Sequence, residues 1–145
     1  MKALIQRVKK ASVVIENKLF SSIEQGLLVF VGVEKADEKI NAEKLSQKII
    51  NLRIFEDENG KMNKSVLDIQ GEILIVSQFT LCGNCAKGTR PSFDNSAPLK
   101  IANDLYEYFV ECTRVSNLKI QTGKFQADMQ VELTNDGPVT FFIEK

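Results

Sequence analysis

Two short stretches limit this chain's fold more than anything else in it. Leu27-Leu28-Val29-Phe30-Val31-Gly32-Val33 and Ile73-Leu74-Ile75-Val76 are apolar without interruption and bounded by turn-forming or polar residues. A strand that faces water on one side alternates apolar and polar residues. One covered on both sides reads as a continuous apolar run. These runs are too short for core helices, so they predict buried central strands. The second run continues into Ser77-Gln78-Phe79-Thr80-Leu81, giving a predicted strand over Glu72–Leu81. Polar side chains that abruptly end a buried strand are either a solvated exit or a site.

The rest of the chain supplies partners for these strands. Lys2–Val8 and Ala11–Glu16 are rich in aliphatic and β-branched residues, and Leu19–Ile23 follows the turn candidate Glu16-Asn17-Lys18. This opening reads as a β-meander. A helix is expected over Glu38–Leu52, with Asp37 as its cap and Ala42, Leu45, Ile49 and Leu52 on its core face. Arg53-Ile54-Phe55 reads as a short strand, and Asp57-Glu58-Asn59-Gly60 as a tight turn. Ser65–Ile69 is irregular or a short strand. A second helix begins near Ser96 with Pro98 in its first turn; Ile101, Leu105, Phe109 and Cys112 give it an apolar face. Strands over Leu118–Thr122, Met129–Thr134 and Val139–Ile143 close the chain. The sum is one α+β domain over residues 1–145, β-rich and barrel-like, with two main helices.

Composition narrows the function. No apolar run approaches the roughly 20 residues of a membrane helix, and the start lacks a secretory core and cleavage site. A cytoplasmic protein that makes no use of a membrane is expected. Nineteen basic and nineteen acidic residues leave a formal net charge of zero, which weighs against a large nonspecific nucleic-acid binder. There is no histidine. Ser-His and Cys-His nucleophile pairs and every His-containing metal site are therefore excluded. Cys82 and Cys85 form a Cys-x-x-Cys, but Gly83, Asn84, Lys87 and Gly88 place it in a loop, and zinc would want a second pair. Two reduced loop cysteines are expected, with no metal and no cofactor.

In an extended strand, Ser77 and Phe79 would share one face, and Gln78 and Thr80 the other. A hydroxyl nucleophile needs a base, and none is identifiable. From chemistry alone these polar groups satisfy hydrogen bonds at a strand end. Asn135-Asp136-Gly137-Pro138 reads as a turn. The loop Cys82–Ser96 is long enough to be functional, and its Lys87 and Arg90 are weak candidates for phosphate contacts. Phe125 and Met129 are either core or one wall of a pocket for a flat base.

Several phrases occur in order along the whole chain: Gln6-Arg7-Val8, Asn51-Leu52-Arg53-Ile54-Phe55, Ser77-Gln78-Phe79-Thr80-Leu81, Lys87-Gly88-x-Arg90-Pro91-Ser92-Phe93, Thr122-Gly123-x-Phe125, Ala127-Asp128-Met129-Gln130-Val131 and Asn135-Asp136-Gly137-Pro138-Val139-Thr140. Together they resemble the bacterial D-aminoacyl-tRNA deacylases. Cys82–Ala86 departs from that pattern and lacks the basic side chain expected just before Lys87.

The resemblance implies hydrolysis of the D-aminoacyl-tRNA ester, and of glycyl-tRNA(Ala), by a homodimer with sites at its subunit interface. It implies a cis Gly137–Pro138 bond acting as a chiral filter against L side chains. Arg7 would brace that motif, Phe125 would stack on the terminal adenine, and Met129 would line the same pocket. Ser77, Gln78, Phe79 and Thr80 would form the catalytic strand end, and Lys87 and Arg90 would touch tRNA. The missing base then fits catalysis assisted by the substrate's own ribose hydroxyl, with Phe79 and Thr80 N–H groups stabilising the oxyanion. A Thr80 nucleophile is the competing mechanism. A non-catalytic nucleic-acid-binding module and a Cys82/Cys85 redox protein are the other readings.

Overall fold

A computed structural model describes residues 1–145. Its frame is a long antiparallel ribbon. β1 (Lys2–Ile15) turns at Glu16-Asn17 and returns as β2 (Lys18–Ile23) and β3 (Gly26–Gly32) along one edge. Along its other edge lies β8 (Gln130–Glu144). β6 (Glu72–Ser77) adds parallel to β3, and β7 (Ile120–Thr122) adds parallel to β6. The sheet curls until Ser21 Oγ on β2 donates to Thr122 O on β7 at 2.8 Å, nearly closing a barrel.

Both apolar runs sit where their composition requires. Leu27, Val29, Val31, Ile73 and Ile75 face the helices, while Leu28, Leu74 and Val76 pack into a second cluster with Val8, Val13 and Ile23. At Gly26 an added Cβ would fall 1.8 Å from Glu72 O, so only glycine lets β3 start this close to β6.

α1 (Lys39–Ile50) buries Ala42, Leu45 and Ile49 as expected. Each of the two larger side chains contributes about 1.5–3 kcal/mol by leaving water. The cap is Glu38, whose N–H donates to Asn41 Oδ1 at 2.8 Å. Asp37 instead pairs with the Met1 ammonium and accepts the Glu34 N–H at 2.6 Å. The Asp57–Gly60 turn joins a small hairpin of β4 (Phe55–Glu56) and β5 (Met62–Lys64). Arg53 and Ile54 lie outside it, and Ser65–Ile69 is a turn held by the Asp68 carboxylate on Ser65.

α2 (Leu99–Arg114) starts after Pro98 and buries Leu105, Tyr106, Phe109, Val110 and Thr113. Ile101 is exposed and Cys112 only half-buried, contrary to expectation. The helix packs against both α1 and the sheet: Tyr106 reaches Ile75 of β6, and Thr113 meets Ser46 of α1 at 3.1 Å.

Tyr106 OH donates to Ile75 O at 2.9 Å, and burial pushes this phenol well above its ordinary value. A hydrogen bond to Glu43 pushes Tyr108 up to about 12 from 10.0. Both phenols ionise less readily folded than unfolded. Their contribution is full below pH 10 and is lost as pH rises beyond it. Denaturant midpoints measured from pH 9 to pH 11 are expected to fall, and Tyr106→Phe is expected to make that fall shallower.

Candidate functional site

β6 ends earlier than the sequence predicts, and the site begins there. Ser77 is its last residue, paired with Val31. Gln78 N–H donates to Val31 O at 2.7 Å, and the chain then turns into a 3₁₀ helix, Phe79–Cys82. The face assignment for an extended strand therefore fails at Phe79 and Thr80. Leu81 N–H is the first to close the turn, onto Gln78 O at 3.2 Å. The Phe79 and Thr80 N–H groups precede it and have no acceptor within the turn.

The turn also folds Cys82 inward. Its thiol is buried, bonds to Val33 O at 3.4 Å, and is pushed up in pKa chiefly by burial. That environment suits a structural thiol rather than a reactive one. Cys85 is exposed.

A cavity of about 420 Å³ opens beside this turn, with Ser77, Gln78, Phe79, Phe125 and Met129 in its wall. Twelve of its 17 lining residues are hydrophobic, the make-up of a small-molecule site with a few polar contacts. Phe125 packs against Tyr106 with ring centroids 6.0 Å apart. Phe79 is 60% exposed at the rim and meets Phe93 at 5.0 Å.

α2 and its approach supply Ala97, Leu99, Ala102 and Tyr106, none of which sequence reasoning singled out. No local pattern marks them, because they reach the cavity through tertiary packing. Thr80 lies just outside the wall. Its hydroxyl accepts Gln78 Nε2 at 2.5 Å and has no basic partner. Lys87 and Arg90 are exposed in the following loop and contribute nothing to the wall.

Gly137, Pro138 and Arg7 form a separate cluster. The Gly137–Pro138 bond is cis. It sits within β8, where the register against β1 shifts on both sides of Val8. The segment is not a turn between two strands, because Asn135 replaces the missing ladder bonds. Its Nδ2 donates to Arg7 O and Val139 O at 3.0 Å, and its Oδ1 accepts the Val139 N–H at 3.2 Å. The buried Arg7 donates from Nε to Asp136 O and from Nη1 to Ile54 O, each at 2.7 Å. Gly137 and Pro138 themselves are exposed and are no part of their own chain's cavity wall.

Residues 4–144 match the family model described as D-Tyr-tRNA(Tyr) deacylase. The chain belongs to the D-aminoacyl-tRNA deacylase family. Among similar family members, the D-aminoacyl-tRNA deacylase of Geotalea daltonii is 59% identical, the alignment covering 99% of this chain and 96% of that protein. That of Thermosipho africanus is 60% identical, over 99% and 97%. The solved structure of the c-Myc DNA unwinding element binding protein is 45% identical, with a TM-score of 0.94 over 100% of this chain and 99% of that one. A "probable eukaryotic D-amino acid tRNA deacylase" superposes with a TM-score of 0.86 over 99% and 98%. At 16% identity it shows the shared fold alone. No helix is long and apolar enough to cross a membrane.

Proposed function

We propose that this chain hydrolyses the ester bond of D-aminoacyl-tRNA, and of glycyl-tRNA(Ala), in the cytoplasm, while leaving L-aminoacyl-tRNA intact. The observation that carries this is the base-free strand end at the mouth of an aromatic-walled cavity. It occurs in a chain 59% and 60% identical to curated deacylases along nearly its full length. The terminal adenosine enters the cavity, with its base on Phe125 and Met129. The ester carbonyl lies at the Phe79 and Thr80 N–H groups, which stabilise the oxyanion. Removing one such donor typically costs on the order of 10²–10³ in rate.

The chiral filter comes from a second copy. Gly137 and Pro138 are exposed and form no part of their own cavity wall, so in this reading they act on a neighbour's substrate. Exposed Phe79 and Leu99 at the cavity, and Phe141 and Phe142 on β8, supply apolar surface for such a homodimer. Arg7 holds the filter from behind through Asp136 O. Lys87 and Arg90 face solvent beyond the rim, where the tRNA backbone would pass.

The deciding experiment incubates purified protein with D-Tyr-tRNA and L-Tyr-tRNA, with and without a chelator. Rapid loss of the D ester alone, unchanged by chelator, is expected. A second reading draws on the DNA-binding name of the 45%-identical structure: a nucleic-acid-binding module without turnover. Salt-dependent RNA binding by a folded protein that cleaves neither ester would establish it instead.

A further inference from the structure

We infer that Gly123 is a positioning residue for Met129: its missing side chain is the seat of the Met129 thioether, and that seat sets one wall of the cavity. A glycine is needed either for its backbone conformation or for space. Conformation is not the reason here, because Gly123 lies outside the positive-φ region that favours glycine. The residue is buried, and its N–H donates to Ile75 O at 2.8 Å, which pins the loop after β7 to β6.

Space is the reason. A Cβ at position 123 would stand 2.7 Å from Met129 Sδ and 3.5 Å from Met129 Cε. Its next neighbour, Val76 Cγ1 at 3.6 Å, is in ordinary contact. Gly26 and Gly137 differ, because there the added atom meets main chain. At Gly123 only a flexible side chain has to move. Alanine therefore leaves the backbone in place and expels the thioether from its seat. Met129, Phe125 and Val76 share the cavity wall, so the wall changes shape without the fold changing.

The substrate consequence rests on the reading above, in which this wall holds the terminal adenine. Gly123→Ala then weakens adenosine binding while the protein stays folded. In a Met129→Ala background the seat is empty, and the same substitution does nothing.

The test combines ¹³C-methyl-methionine spectra with adenosine titration across the double-mutant cycle. The chain has three methionines, so the Met129 methyl is assigned by its loss in Met129→Ala. Gly123→Ala is expected to shift that methyl resonance in the free protein and to weaken adenosine binding roughly tenfold. In the Met129→Ala background the further loss is expected to stay below about twofold. An unmoved methyl resonance overturns the inference. So does an equal loss in both backgrounds, which would make Gly123 a backbone residue. The methyl shift reports the seat whether or not adenosine binds. Wild-type protein that binds no adenosine overturns the substrate assignment of the cavity and not the seat.

Discussion

Gly137→Ala is expected to cut D-ester turnover at least about 100-fold and to lower the melting temperature. At this position the added methyl would stand 2.0 Å from Val139 N and 2.8 Å from Asn135 Oδ1. The first of these is a main-chain atom two residues on, so no side-chain rotation relieves the overlap. The second is the acceptor of the Val139 N–H, and the same side chain donates to Arg7 O and Val139 O. The methyl therefore damages the motif's own support. Simple intrusion into a substrate pocket is secondary to this displacement of backbone. Strain at such a position belongs to the short list of changes that cost about 2 kcal/mol or more. The measurement is the hydrolysis rate of D- and L-Tyr-tRNA by folded variant, beside a thermal melt. A displaced filter lowers the D rate and raises the L rate relative to it. Wild-type rates for both esters would remove Gly137 and Pro138 from the site.

How much of this was legible in the sequence depended on whether local pattern or distant contact made the decision. β3 and β6 were legible because burial on both faces leaves an unbroken apolar run. The turn between β4 and β5 was legible from Asn59-Gly60, but the return strand Met62–Lys64 was not, because three mostly exposed residues carry no apolar pattern. Both halves of β8 were legible as strands, but not their union, because Thr134-Asn135-Asp136-Gly137-Pro138 carries turn residues in the middle. There the Asn135 side chain replaces the ladder bonds, a substitution no periodicity reveals. The end of β6 was overrun for a related reason. Val31 offers the last pairing position, and Leu81 N–H closes onto Gln78 O, so the neighbouring strand sets the boundary. Asp37 looked like a cap and is spent on the Met1 ammonium. In the site, chemistry identified the Ser77–Thr80 strand end as either an exit or a site, and only the resemblance decided between them. The α2 wall was not legible, because Ala97, Leu99, Ala102 and Tyr106 reach the cavity through tertiary packing. The absence of Gly137 and Pro138 from their own chain's cavity wall agrees with the interface site that the resemblance implied, and no local pattern carries it.

An effect of the same size is expected from a change in the substrate rather than in the protein. A D-aminoacyl ester on a terminal 2′-deoxyadenosine should react at least about 100-fold more slowly than the ribose ester, the scale of a lost general acid or base. The reason is the chemistry available at the strand end. The chain has no histidine, and the one side-chain partner of the Thr80 hydroxyl is the Gln78 amide, which takes up no proton near neutrality. A hydroxyl without a base is a poor nucleophile. The ribose hydroxyl beside the ester is already in place, and positioning it costs the enzyme nothing further at the moment of reaction. The companion variant is Thr80→Ala, which keeps both N–H groups of the 3₁₀ turn and loses only the Gln78 contact. It is expected to retain turnover of the ribose ester within about tenfold, as befits one lost neutral hydrogen bond. The two measurements exclude each other's alternatives. A folded Thr80→Ala that is inactive, with an acyl-enzyme burst in wild type, would make Thr80 the nucleophile. A deoxyribose ester cleaved at the ribose rate would show that the hydroxyl takes no part. Slow cleavage of the deoxyribose ester beside a nearly intact Thr80→Ala leaves the substrate as the source of the reacting hydroxyl. The protein's part is then positioning, by the two N–H groups of the 3₁₀ turn and the aromatic wall beside them.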